Sequence, residues 1–188
     1  MKDTAINLRS GNAFMHEGKL LVVVKNEINQ PGKGASVAQI EARDPLTGTK
    51  TNLRFRTQES IERADLFETD YQFLFETDGV YTFMNNETFE QIEVPGDLIG
   101  SPKAYLQEGM KCAIQTHEGS PISVTLPKTV VMTIVEADPV VKGQTQSSSY
   151  KPAILENGER VLVPPHIESG TRIVVHTADG AYSERAKD

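Results

Sequence analysis

Short strand patterns separated by glycine-containing turns run along nearly the whole 188-residue chain. Five two-residue hairpin signals lie between runs that are rich in β-branched residues: Glu17-Gly18, Asp78-Gly79, Glu118-Gly119, Asn157-Gly158 and Asp179-Gly180. Such dipeptides favour the tight turns that join antiparallel strands. Long helical periodicity is absent, and short helical turns are expected only near residues 59–64 and 101–107. The pattern therefore predicts an all-β protein built of small closed barrels.

The charge is uneven along the chain and predicts three modules in tandem. Residues 1–64 hold ten Lys and Arg against seven Asp and Glu, a net charge of +3. Residues 65–127 hold two against eleven, giving −9, and residues 128–188 hold seven against eight, giving −1. Modules of about 60 residues are typical of SH3-like or OB-fold barrels. A segment at −9 would be repelled by a bare phosphate backbone, which excludes a general nucleic-acid coating protein.

Several other classes of protein are excluded by what the sequence lacks. No run of 18 apolar residues is present and the N-terminus has no apolar stretch, so we expect a cytoplasmic protein that has no membrane partner. Cys112 is the only cysteine, which excludes internal disulfides and cysteine-based zinc sites, and the four histidines are not at metal-ligand spacing. Since no nucleophile, metal or cofactor motif is found, we predict neither an enzyme nor a bound cofactor.

The most informative local feature lies between two strand patterns and is the tetrapeptide Pro31-Gly32-Lys33-Gly34. We predict that it forms the tip of a long hairpin, where the glycines remove neighbouring side chains and allow positive φ. Lys33 would then project alone, able to reach into a narrow space or to be reached by a modifying enzyme. A solvated turn lysine is the alternative. A phosphate-binding loop is excluded, because Glu27 and Gly34 stand where that motif needs Gly and Ser or Thr.

Two further segments complete a pattern that extends over essentially the whole chain. Residues 151–170 read K-x-A-x4-G-x2-V-x-V-P-x2-I-x2-G, a long and specific spacing, although most of these residues also fit a barrel core. Residues 84–91 read MNNETFEQ, where the acidic side chains are expected on a solvated strand face. With the Lys33 tetrapeptide, these collinear motifs resemble the bacterial elongation factor P family.

The resemblance implies a specific architecture and function. It implies an SH3-like (KOW-like) barrel at residues 1–64, then an acidic OB-fold barrel at residues 65–127 and a second OB-fold barrel at residues 128–188. The three would form an L shaped like a transfer RNA. The protein would be a monomeric, non-enzymatic translation factor. It would bind the 70S ribosome between the peptidyl and exit sites and relieve stalling at consecutive prolines.

The resemblance also assigns roles to single residues. Lys33 would lie near the CCA end of the peptidyl-tRNA in the P site. In relatives this lysine is often extended, most commonly by β-lysylation, so a lysyl-tRNA-synthetase-like enzyme is an expected partner. The +3 module would lie along the tRNA acceptor arm, and the −9 module would face ribosomal proteins near the exit site.

In the third module, Gly143, Gln144 and Thr145 match a loop that begins Gly-Asp-Thr in relatives. Because Gln144 replaces the acidic residue, an exit-site codon contact there is in doubt. Tyr182 and Arg185 match family positions near the C-terminus and are expected RNA contacts, Arg185 with phosphate, although Arg185 could equally be an ordinary surface residue.

Two alternatives have the same fold but other targets. One is a paralogue of the factor, which tends to lack both the Pro-Gly-Lys-Gly loop and the Met-Asn-Asn-Glu-Thr-Phe-Glu segment. The other is a stand-alone OB-fold RNA-binding protein. It would need a basic groove that bears aromatic residues, and the acidic middle segment without Trp argues against it.

Overall fold

The chain folds into three successive antiparallel sheets in a computed structural model, which describes residues 1–139 and 149–187. The first sheet has six strands, and the second and third have five each. Their strands lie within residues 2–64, 67–125 and 129–185. The prediction of an all-β fold made of small barrels is confirmed, whereas the L-shaped arrangement stays a prediction. No helix among the described residues is long and apolar enough to cross a membrane.

The first sheet pairs its strands in the order β1-β6-β2-β3-β4-β5. Its strands are β1 (Lys2–Thr4), β2 (Ala13–His16), β3 (Lys19–Asn29), β4 (Val37–Arg43), β5 (Lys50–Arg56) and β6 (Ser60–Ala64). Strand β4 shows the alternation that sets the inner face: Ala38 and Ile40 are buried, while Gln39 between them is exposed. A short 3-10 turn, Ala5–Asn7, follows β1 and is held by the Asn26 side-chain amide, which donates to Ala5 and Leu8 carbonyls at 3.0 Å.

The prediction of a helical turn at residues 59–64 is wrong, because Ser60–Ala64 forms strand β6. This strand lies between β1 and β2, with Ile61 opposite Asp3 and Arg63 opposite Phe14. Neighbours on both sides satisfy its backbone groups, and these partners are distant in sequence. The helical turn expected near residues 101–107 is confirmed as a 3-10 turn, Ser101–Tyr105.

The second and third sheets share one topology although no sequence repeat relates them. The second contains β7 (Phe67–Thr77), β8 (Val80–Asn85), β9 (Gln91–Pro95), β10 (Lys111–His117) and β11 (Ser120–Thr125), in the order β11-β10-β7-β8-β9. A four-residue helix, α1 (Gly96–Ile99), follows β9. The third contains β12 (Thr129–Ala137), β13 (Lys151–Leu155), β14 (Arg160–Val163), β15 (Arg172–His176) and β16 (Tyr182–Arg185).

The third sheet is ordered β14-β13-β12-β15-β16. When the strands are numbered within each sheet and the third sheet is read from β16, both orders are 5-4-1-2-3. In each sheet the first strand contains a bulge, at residues 73–75 in β7 and at residues 134–136 in β12. A bulge bends the first strand so that it can pair along a closing barrel. Each of the five predicted X-Gly dipeptides lies in a connection between two consecutive strands.

Buried side chains form two clusters, one in the first sheet and one that is continuous through the second and third. The 3-10 turn Ser101–Tyr105 lies where the second and third sheets meet: the Asn157 side-chain amide donates to the Ala104 carbonyl at 2.7 Å. Nearby, the Gln107 amide donates to the Val131 carbonyl at 3.1 Å. Cys112 is buried in the shared cluster, and this burial raises the pKa of its thiol to about 11.

Candidate functional site: the Lys33 loop

Lys33 lies at the end of the longest hairpin of the first sheet. Strands β3 and β4 remain paired up to Asn29 and Val37, and residues 30–36, called the Lys33 loop, connect them. Residues 30–35 are exposed, and the preceding half of β3 is exposed except for Asn26. The hairpin therefore continues past the part of the sheet that covers the core.

The glycines beside Lys33 are not required by the fold. Neither Gly32 nor Gly34 has a positive φ, so the left-handed backbone that glycine allows is not adopted at either position. A seven-residue loop can reverse the chain without such residues. A Cβ added at Gly32 would meet no atom within 4 Å, and at Gly34 it would meet only the Pro31 Cγ at 3.8 Å. Because of the glycines, residues 31–35 at the tip of the loop have only the side chains of Pro31, Lys33 and Ala35.

Lys33 has no carboxylate partner within the described residues, a property that it shares on this hairpin with Lys19 but not with Lys25. Lys25 pairs with Glu27 at 2.6 Å, and Lys50 on β5 pairs with Glu41 at 3.6 Å. Within residues 1–139 and 149–187, Lys33 makes no hydrogen bond and no ion pair. Its ammonium group is thus free to bind an external acceptor.

Two arginines accompany the Lys33 loop, and sequence reasoning did not assign them to the site. Arg56 lies opposite Val37, the first residue after the loop, and Arg54 lies opposite Gln39. Both are exposed. The basic stretch that begins at residue 54 was a signal for them, but only the pairing of β4 with β5 brings them towards the end of the hairpin that carries Lys33.

Next to these arginines, the outer face of β3, β4 and β5 has a shallow polar depression of about 360 Å³. Its charged side chains include Lys25, Glu27, Glu41 and Arg54. The two carboxylates already pair with lysines, so the depression offers no unpaired acid for proton transfer. Nor is any group of three or more His, Cys, Asp or Glu placed to hold a metal ion in the described parts of the chain.

Two of the other predicted site residues, Tyr182 and Arg185, lie in the third sheet. Tyr182 and Arg185 are both on the edge strand β16, opposite Val175 and Ile173. Three positions apart, they would normally face opposite sides of the sheet, but a register shift at residues 174–175 brings them to one side. The Tyr182 ring packs edge-to-face against Tyr150, with 6.2 Å between centroids, and burial raises the pKa of Tyr182. Gly143, Gln144 and Thr145 lie outside the described residues.

Comparison with known proteins gives matches along the whole chain. Three family models match in order: the elongation factor P KOW-like domain at residues 4–61, the elongation factor P OB domain at residues 66–124, and the elongation factor P C-terminal domain at residues 130–185. The chain is 58% identical to elongation factor P of Rhodospirillum centenum over 188 residues, and 51% identical to that of Rhodospirillum rubrum over 187 residues. Both alignments cover 100% of each chain.

A solved structure shows the same fold at low sequence identity. It is the eukaryotic translation initiation factor 5A from Methanococcus jannaschii, at 19% identity and a TM-score of 0.55. The match covers 67% of this chain and 92% of the other.

The three barrels, each matched by a domain of one translation factor, define the class of the protein: it is a translation elongation factor. More particularly, the chain belongs to the elongation factor P family. The resemblance inferred from sequence is confirmed. A stand-alone OB-fold RNA-binding protein does not account for matches that span all three modules.

Proposed function

We propose that this factor binds the 70S ribosome between the peptidyl and exit sites and stimulates peptide-bond formation at consecutive prolines. Lys33 would act at the CCA end of the peptidyl-tRNA. The observation that carries the proposal is an unpaired lysine at the tip of a projecting hairpin, between two glycines that the fold does not require. The protein contributes no catalytic group and acts by positioning RNA.

The chemistry of the stalled reaction fits a positioning role. The proline ring fixes φ and restricts its approach to the ester of the peptidyl-tRNA. A cation that binds RNA beside that ester holds it in a reactive geometry, and positioning of this kind can account for a large share of a rate enhancement. Lysine has three donors on a flexible stem, so the surrounding site must order it.

The bare loop explains how the lysine could enter a narrow space. Because Gly32 and Gly34 have no Cβ, backbone and partner can approach closely on both sides of Lys33. The fold gains nothing from these glycines, and a flexible loop costs entropy when it is ordered. Access for a partner is therefore the property that accounts for them.

Covalent extension of Lys33 is the second part of the proposal. An exposed side chain without an internal partner is accessible to a modifying enzyme, in this case one that resembles a lysyl-tRNA synthetase and adds β-lysine. Extension would add reach and hydrogen-bond donors. The intact mass of the protein from its native host tests this part, and an unshifted mass would remove it.

The distribution of charge supports an orientation on the ribosome. The +3 first module, with Arg54 and Arg56 beside the Lys33 loop, would lie along the acceptor arm of the tRNA. The −9 second module would face basic ribosomal proteins near the exit site. Tyr182 and Arg185, on one side of β16, are proposed RNA contacts of the third module.

Reconstituted translation of two messages tests the function, one message encoding a proline run and one without it. The native factor should relieve the proline stall selectively, and Lys33→Ala should lose at least ~10-fold of that stimulation, as expected for a group that orients a reacting atom. Lys19→Ala is the matched control, since Lys19 is an exposed lysine at the start of β3, the strand that leads into the Lys33 loop. If both variants stimulate equally, Lys33 is not the working residue.

A further inference from the structure

The turn at residues 85–90, called the Phe89 turn, exposes an aromatic side chain on a strained backbone. Phe89 is 69% exposed and has a φ of 62°. The other non-glycine residues with positive φ in the described parts of the chain are Glu17, Asp78 and Glu118. Each of these is an acidic residue followed by glycine in a two-residue hairpin turn, where positive φ is usual. Phe89 is not in such a turn, so its positive φ needs another explanation.

The conformation of the turn is set by Asn85 and not by the phenylalanine ring. The Asn85 side-chain oxygen accepts the Glu87 N–H at 2.8 Å and the Thr88 N–H at 3.1 Å. The Asn85 carbonyl accepts the Phe89 N–H at 2.9 Å, and the Asn85 N–H donates to the Glu90 carbonyl at 2.8 Å. Position 89 is therefore held in the left-handed region, where glycine or asparagine is favoured.

Two local effects thus disfavour phenylalanine at this position. Its Cβ crowds the backbone at positive φ, and its ring is left in water rather than in the core. Strained residues that persist against local preference are found at functional sites. Aromatic rings that become buried between two proteins are also the usual energetic anchors of an interface. Burial by a partner would therefore account for Phe89.

The charge around the ring identifies the kind of partner. Glu87 and Glu90 flank the ring in sequence, are exposed, and are in no ion pair within the described residues. They belong to the segment with a net charge of −9. RNA phosphates would be repelled by these carboxylates, whereas lysines and arginines of a protein would be attracted.

We infer that the Phe89 turn is a protein-docking site, in which the Phe89 ring enters an apolar pocket on a basic ribosomal protein. Glu87 and Glu90 face the lysines and arginines around that pocket. The inference rests on the proposed binding to the ribosome, and it specifies one anchor of that binding.

Photocross-linking from the position of the ring tests the partner. A photoreactive phenylalanine analogue at position 89 is incubated with 70S ribosomes, and Phe67 is replaced in the same way as the control, since it is 67% exposed in the same module. The expected product from position 89 is an adduct with a basic ribosomal protein that resists ribonuclease. An adduct with RNA, or a bound factor that gives no protein adduct from position 89, would overturn the inference. A factor that does not co-sediment with ribosomes would overturn the proposed function as well.

Affinity measurements separate docking from folding. Phe89→Gly relieves the backbone strain, so it should fold at least as well as the native chain yet bind ribosomes ~10-fold more weakly, as expected for an anchor residue. Phe67→Ser should leave affinity unchanged. Replacing Glu87 and Glu90 together with glutamine should weaken binding and reduce its dependence on salt. Unchanged affinity of Phe89→Gly would contradict the inference.

Discussion

The Lys33 loop and the Phe89 turn are two exposed tips that contrast in their use of glycine. One has glycines where the backbone does not require them, and the other lacks glycine where the backbone favours it. The Lys33 loop has glycines at 32 and 34 although neither φ nor packing requires them. The Phe89 turn has phenylalanine at a positive φ where glycine would be favoured. Stability explains neither choice, whereas the proposed partners would explain both: a bare tip would let the lysine of one reach inward, and the exposed ring of the other would be covered. The contrast can be tested by measuring how substitutions at the two tips change the free energy of unfolding. Substitution of a glycine that the fold does require provides the reference value.

Gly180 supplies that reference and should give the largest effect. It has a φ of 74°, and a Cβ added there would overlap the hydroxyl of Tyr105, which lies in the second module. Gly180→Ala should therefore destabilise the protein by about 3 kcal/mol, from backbone strain together with overpacking. Chemical denaturation measures the loss.

Gly158→Ala is the matched control for Gly180→Ala. Gly158 has a φ of 86°, but an added Cβ there would meet nothing within 4 Å. Its substitution should cost about 1 kcal/mol, the backbone part alone. Truncation of Tyr105 to alanine should remove the excess cost of Gly180→Ala in a double-mutant cycle. Equal costs for the two glycines would show that the contact between the second and third modules is not tight at this point.

Phe89 should give the next largest effect, with the opposite sign. Phe89→Gly should stabilise the protein by about 1 kcal/mol, because glycine has no Cβ to crowd the backbone at positive φ. Phe89→Ala keeps the Cβ and should give no such gain, although it also removes the ring. Thermal unfolding of the two variants measures the difference. If alanine stabilises as much as glycine, the turn is not strained and the contrast between the two tips fails.

The difference between the tips also shows what a sequence can reveal. The X-Gly dipeptides predicted the hairpins because their conformational preference is local. The Pro-Gly-Lys-Gly tetrapeptide likewise predicted an exposed hairpin tip at Lys33. The resemblance of three separated motifs identified the family, which neither composition nor periodicity could do.

Features that depend on pairing between distant residues were not predictable. Strand β6 was mistaken for a helical turn because its partners, β1 and β2, precede it by more than 40 residues. The placement of Arg56 beside the Lys33 loop depends on the pairing of β4 with β5. The common side shared by Tyr182 and Arg185 depends on a register shift. Residues 84–91 were recognised only as a motif shared with the family, because the positive φ of Phe89 is visible only in the folded turn.

The smallest effect on stability is expected at the Lys33 loop, where it should be accompanied by a clear functional effect. Gly32→Ala and Gly34→Ala should each change the free energy of unfolding by no more than about 0.5 kcal/mol, because both positions are exposed, at ordinary φ and free of close contacts. Alanine can even stabilise slightly by restricting the unfolded chain. Relief of the proline stall should nevertheless fall, since each added methyl group occupies space beside Lys33 that the proposed partner needs. Gly48→Ala is the converse control: its φ of 75° predicts a loss of about 1 kcal/mol, while its position in the β4–β5 turn predicts unchanged stimulation. Full stimulation by both loop variants would mean that the bare tip is an accident of a solvated turn, and access for a partner would no longer account for its glycines.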